Sequence, residues 1–200
     1  TSHGGGIYSS GSTSSIISIK NGSGRSLVQG NIASSSGGAI YSDSYRRSEI
    51  TISGSDVKNN TATSGSGGAI YNYVSTGNYV YSSSVAATAI VNILNHSTMT
   101  GNTATSGSGG TIYNYAYSSN DFNNGSSNIY STSNATVTVT DSDIIGGIAG
   151  IHGGAIYNYA YAYSYSSYSH DTGICHPNTL GYTRPTPSIG TANATISLTN

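Results

Sequence analysis

A Gly-Gly-x-Ile-Tyr pentad recurs five times along this chain of 200 residues, at Gly4–Tyr8, Gly37–Tyr41, Gly67–Tyr71, Gly109–Tyr113 and Gly153–Tyr157. Successive copies start 33, 30, 42 and 44 residues apart. Self-similarity at that period marks a solenoid. One unit cannot bury its apolar face alone, so units stack and share a continuous core.

Each pentad has a partner upstream. Val28–Ala33, Val57–Ala62, Met99–Ala104 and Ile144–Ala149 share the pattern apolar-x-x-Asn-x-Ala, with Gly147 replacing Asn in the last copy. Asn and Gly tolerate the left-handed backbone of tight corners. Stacked Asn side chains can also bond amide to amide from coil to coil. Before these segments lie alternating strands: Ser15 through Ile19, Ile50–Ser53, Ile90 through Leu94, Ala135–Thr140 and Ala194–Thr199. Their period of two puts Ile, Val and Leu on one face and Thr or Ser on the other. Three short strands and three corners per turn predict an all-β fold, a parallel β-helix of about five to six coils. Residues 1–200 form a single domain in this reading, a rod roughly 25–30 Å tall at ~4.8 Å per coil.

Gly-Gly-Ala-Ile paired with an upstream Phe-x-x-Asn resembles the repeats of polymorphic outer-membrane proteins and related autotransporter adhesins. Here the first half reads Gly-Gly-(Gly/Ala/Thr)-Ile, and the second is Val28-x-x-Asn31, Val57-x-x-Asn60 and Met99-x-x-Asn102, with Val or Met in place of Phe. The resemblance implies a right-handed β-helix on a cell surface. It covers about half the chain, and no translocator barrel sequence follows.

Composition narrows the function. Six Lys/Arg against seven Asp/Glu give a net charge of −1, which excludes electrostatic capture of nucleic acid. No apolar run is long enough to span a membrane as a helix. Thr1-Ser2-His3-Gly4 reads as a mature, processed end. An extracellular location is expected, and six N-glycosylation sequons stand at Asn21, Asn59, Asn95, Asn124, Asn134 and Asn193.

The connection after each Tyr strand lengthens along the chain, and its later forms, 74–88, 116–134 and 160–193, are expected to project from one corner. Tyrosines alternate strictly at its roots: Tyr71 and Tyr73; Tyr113, Tyr115 and Tyr117; Tyr157, Tyr159, Tyr161, Tyr163 and Tyr165. Alternation places these rings on one strand face and predicts tyrosine ladders between coils. Such ladders are either a second small core or a sticky face for another subunit, a glycan or a surface.

Other chemistry is sparse. Asp141 and Asp143, with Asp56 in the register of Asp143 two coils away, form the best acidic constellation for polysaccharide cleavage. No basic residue is assigned beside the Asp141 and Asp143 pair to bind an acidic sugar, and Asp before a strand is ordinary turn chemistry. His170, Asp171, Cys175 and His176 are plausible metal ligands whose spacing matches no strong motif, and Cys175 could instead pair with another subunit. Thr136, Thr138 and Thr140 suggest an ice-binding array that neighbouring coils do not extend. His3 and His152 precede Gly-Gly pairs where other coils have Ser36, Ser66 and Ser108.

No capping unit is recognised at either end: the chain opens at a Gly-Gly strand and closes after an alternating one, as in a fragment whose caps lie outside this sequence, or as if one coil were divided between successive molecules. Head-to-tail stacking would then build a homopolymer. The sequence therefore predicts an extracellular structural protein, the subunit of a surface filament, with no enzymatic activity and no cofactor. The alternative is an adhesin domain that binds glycan or a surface through its Tyr-rich insertions. A polysaccharide lyase or hydrolase is third.

Overall fold

The computed structural model describes residues 2–78, 85–122, 130–166 and 190–199, and all their regular structure is strand. The first coil runs β1 (Ile7–Gly11), β2 (Ser14–Lys20), β3 (Ser26–Gln29) and β4 (Ile32–Ala33). The second runs β5 (Ile40–Ser44), β6 (Arg47–Ser53), β7 (Ser55–Lys58) and β8 (Thr61–Ala62). The third runs β9 (Ile70–Asn78), β10 (Val85–Leu94), β11 (Thr98–Thr100) and β12 (Thr103–Ala104). The fourth runs β13 (Ile112–Phe122), β14 (Ser131–Thr140), β15 (Asp143–Ile145) and β16 (Ile148–Ala149). In the fifth, the described strands are β17 (Ile156–Ser166) and β18 (Thr191–Thr199).

Every pairing is parallel and joins equivalent strands of adjacent coils. Four walls result, in the orders β1-β5-β9-β13-β17, β2-β6-β10-β14-β18, β3-β7-β11-β15 and β4-β8-β12-β16. The fold is a parallel β-helix. It has four strands per complete coil where the sequence predicts three, because the apolar-x-x-Asn-x-Ala segment bends in two. Gly30, Asn59, Gly101 and Gly146 adopt φ of 66°, 51°, 63° and 65°, turning the chain between the third wall and the two-residue fourth. The left-handed residue is thus the one before the repeated Asn, and it is Asn itself only in the second coil.

The Gly-Gly pair does two separate jobs. Its first member, as at Gly37 (φ 68°) and Gly67 (φ 69°), turns the chain into the first wall. Its second needs no unusual φ. A Cβ on Gly38, Gly68 or Gly110 would run into the carbonyl oxygen of the equivalent second glycine one coil on, so only glycine lets the coils approach this closely.

Ile40, Ile70 and Ile112 of the first wall meet Ile50, Ile52, Val91, Ile93 and Val137 of the second and Val57 and Met99 of the third, all without solvent exposure. Each such side chain contributes about 1.5–3 kcal/mol by leaving water. A second core lies beside it. First-wall strands lengthen from 5 residues in β1 to 11 in β13 and β17, and second-wall strands from 7 in β2 to 10 in β14. Beyond the coil proper the two walls face each other as a thin arm around Val74, Ala87, Ala89, Ala116 and Ala135. The roots of the expected insertions are therefore strands, and only 79–84, 123–129 and 167–189 between them lie outside the described residues.

Candidate functional site

The outer surface of the first wall carries the tyrosines. Strand parity turns Asn72, Val74 and Thr76 of β9 inward, buried in the arm, and leaves Tyr71 and Tyr73 on the opposite face. Parallel in-register pairing then stacks like on like. Tyr8, Tyr41, Tyr71, Tyr113 and Tyr157 form a five-rung ladder with successive centroids 5.2, 4.9, 4.9 and 5.1 Å apart and planes within 9°. Tyr73, Tyr115 and Tyr159 form a second at 5.3 and 5.4 Å, and Tyr117 with Tyr161 a third at 5.8 Å. Each contact is worth about 0.5–1.5 kcal/mol beyond area burial.

These ladders are not the second core that the sequence allowed for. That core is made of Ala, Ser, Thr and Asn on the other face of the same strands. Ring faces are covered by neighbouring rings, while the rims reach solvent: Tyr8 is 58% exposed, and Tyr159, Tyr161 and Tyr163 are 41–44% exposed. The side chain of Tyr165 is outside the described set, as are Tyr79 and Tyr81. Burial pushes the Tyr41 phenol up to about 12, with the Asp43 carboxylate adding to the shift, and the Tyr41 hydroxyl donates to Asp43 Oδ2 at 3.3 Å. Burial, then neighbouring phenols, raises Tyr115 to about 12 and raises Tyr71 and Tyr113 further.

Two amide ladders hold this surface flat. Asn31 Nδ2 donates to Asn60 Oδ1, and Asn60 Nδ2 to Asn102 Oδ1, each at 3.0 Å; Gly147 ends the series. This is the coil-to-coil ladder expected from the repeat. The second ladder escaped the sequence reading. Asn72 Nδ2 donates to Asn114 Oδ1, and Asn114 Nδ2 to Asn158 Oδ1, both at 2.8 Å. The same amide groups reach second-wall carbonyls: Asn72 that of Ile90 at 3.1 Å, Asn114 those of Ala89 and Thr136, and Asn158 those of Ala135 and Thr195. They form the seam between the coil core and the arm. The available signal was the triplet Tyr-Asn-Tyr, repeated three times.

Residues 25–43 and 55–73 match the Chlamydia polymorphic membrane protein repeat. These coils resemble that family's repeats. Each match enters at the third wall, crosses the fourth and ends in the first wall of the next coil, so it spans the Asn ladder, the Gly-Gly contact and the first tyrosines. The two stretches cover about a fifth of the chain. They support, in coarse terms, a protein of the cell surface. Neither the curated proteins nor the solved structures contain a match to the chain.

The remaining candidates lie apart from the tyrosine surface or outside the described residues. Asp56, Thr98 and Asp143 do share a register. Hydrogen bonds from Arg25 and Lys58, the latter at 2.9 Å, hold the Asp56 carboxyl below its usual range, which suits an ion pair and not a proton donor. Asp141 has φ 47° and serves as a corner. His170, Asp171, Cys175 and His176 lie outside the described residues, and among the described residues no group of His, Cys, Asp or Glu is arranged to hold a metal. Of the sequons, Asn21, Asn59, Asn95 and Asn193 are exposed. Asn134 is half-buried in β14 and accepts from Asn193 Nδ2 at 3.0 Å, and Asn124 is outside the described set. His3 packs edge-on against Tyr41 at 4.8 Å and His152 lies 6.3 Å from Tyr157, in the end coils as expected. Among the described residues no helix is long and apolar enough to cross a membrane.

Proposed function

We propose that this protein is an extracellular structural subunit, a rigid surface rod that extends by stacking head to tail on further copies. The observation that carries the proposal is the state of the last coil. Ile196 and Leu198 continue the columns of Val137 and Val139, yet they are 48% and 72% exposed where Val137 is fully buried. A further coil laid on this edge would cover both positions.

A second copy suits them. Its β1 would extend the ladder of Tyr157 with another Tyr8, and its β2 would lay Ile17 and Ile19 over Ile196 and Leu198. Residues 2–33 contain Lys20 and Arg25 and no acid, whereas Asp141 and Asp143 flank the corner of the fourth coil. Lys20 and Arg25 thus belong to the first coil, and Asp141 and Asp143 lie one coil in from the other end. Such a contact uses the first two walls. Among the described strands the third and fourth walls stop one coil earlier.

Electron microscopy and sedimentation over a concentration series test the reading. Rods that lengthen with concentration are expected, and Leu198→Asp should hold the chain monomeric. Monodisperse single particles at every concentration would exclude it. Adhesion through the tyrosine surface is the second reading, favoured by the row of exposed hydroxyls. Because inner ring faces are stacked, only rims and end rungs are available to a sugar.

A further inference from the structure

We propose that the exposed rim of the tyrosine ladders is a one-electron oxidation site at which neighbouring molecules become joined by dityrosine bonds. Side chains stand off a sheet roughly perpendicular to it, so the outermost atoms of each rung are the hydroxyl and the two ortho carbons beside it. Those ortho carbons are where phenoxyl radicals couple. The chain holds 18 Tyr and no competing Trp, and its one Met, Met99, is fully buried. The single Cys, Cys175, lies outside the described residues.

The ladder geometry directs where coupling occurs. Within the five-rung ladder, adjacent planes lie within 9° of parallel at 4.9–5.2 Å, so neighbouring ortho carbons meet face to face across their π clouds. The finished biaryl carries its new σ bond in the plane of both rings, an arrangement that parallel rings held on adjacent strands cannot reach and a ring from a second molecule can. Stacked rings let an electron vacancy pass from rung to rung. Burial makes proton loss unfavourable at Tyr71 and Tyr113, whereas Tyr41 has the Asp43 carboxylate as a proton acceptor. Coupling to a second molecule then falls to the accessible rings: Tyr8 at one end of its ladder, Tyr159 and Tyr161 at the β17 end, and Tyr163 two residues farther along β17.

The oxidant is a haem peroxidase charged by hydrogen peroxide. Two phenols each yield one electron and one proton to it, and the two radicals join ortho carbon to ortho carbon. Each coupled ring then restores its phenol by moving the displaced ring hydrogen to oxygen through solvent. One peroxide and two tyrosines give one dityrosine and two waters. Head-to-tail stacking is not required, so failure of the filament reading leaves this proposal standing.

The test treats the full chain with a haem peroxidase and limiting hydrogen peroxide. It reads dityrosine fluorescence, covalent dimers on denaturing gels, and the linked residues by mass spectrometry. Bonds at Tyr8, Tyr159, Tyr161 or Tyr163 are expected. The triple variant Tyr159→Phe/Tyr161→Phe/Tyr163→Phe, which keeps the rings, should lose most of the dimer, while Tyr71→Phe/Tyr113→Phe should retain it. Dimer formation at the parental rate in the triple variant would overturn the proposal. So would parental bonds confined to tyrosines other than the ladder residues and Tyr163, a readout that does not depend on the variants folding.

Discussion

Gly68 and Gly154 occupy the same position in the repeat and should respond to a methyl group to very different degrees. A Cβ on Gly68 drives into backbone atoms of Gly110 and Thr103, whereas on Gly154 the nearest atom is the Gly147 oxygen at 3.4 Å. Gly68→Ala is expected to destabilise by about 3 kcal/mol or more, and Gly154→Ala by less than about 1 kcal/mol. Urea midpoints of the two variants check this, and equal losses would contradict the close-approach account. Tyrosine ionisation gives a second residue-scale outcome. Tyr41 and Tyr115 rise from 10.0 to about 12 in the folded state, so folding holds their protons more tightly. Stability from this source is complete below pH 10 and is lost as pH climbs through 12. Phenolate absorbance from Tyr41 and Tyr115 should therefore appear in step with unfolding; their ionisation near pH 10 with the fold intact would refute it. The Asn31–Asn60–Asn102 ladder was legible because the residue recurs at a corner in an otherwise variable segment. Asn72, Asn114 and Asn158 were not, because each sits mid-strand between tyrosines, where side-chain pattern assigns the face and says nothing of amide partners.

At the scale of elements, the arm inverts the usual arrangement of a sheet sandwich. Its large side chains, the tyrosines, are outside, and its interior is Ala, Ser, Thr and Asn. Alternation in the sequence correctly gave strands at the roots of 74–88, 116–134 and 160–193. It could not say which face would be covered, since hydrophobicity favours the aromatic side. What decides it is continuity: parity is inherited from Ile70, Ile112 and Ile156, which the coil core turns inward. The fourth wall was hidden for another reason, because two residues are too few to show a period. A thin interior of small side chains has no room for growth. Ala116→Phe is expected to cost about 1–3 kcal/mol by overpacking. Hydrogen exchange should show lost protection across 85–89 and 131–135, with 50–52 and 91–93 unchanged. Uniform loss across both sets would mean that the two cores are one cooperative unit.

At the scale of the whole molecule, each coil touches only its neighbours, so stability adds along the axis and end coils open first. Amides of β5–β12 should exchange most slowly and those of β1–β4 and β17–β18 fastest, with protection of the end coils rising as concentration promotes assembly. A salt series should weaken any end-to-end contact that depends on Lys20 and Arg25 against Asp141 and Asp143. The fold class was readable at this scale because a solenoid repeats its evidence with every turn; handling of the ends was not, because it depends on what lies over β18. The lengthening of the first wall, from 5 residues in β1 to 11 in β17, has one more outcome. The molecule is a wedge, and wedges joined narrow end to broad end give a profile with teeth. At every junction about 20 Å of β17 would overhang the slimmer coil beneath. A filament of this kind would have a direction visible in its outline, and each tooth would carry Tyr161 and Tyr163 at its edge.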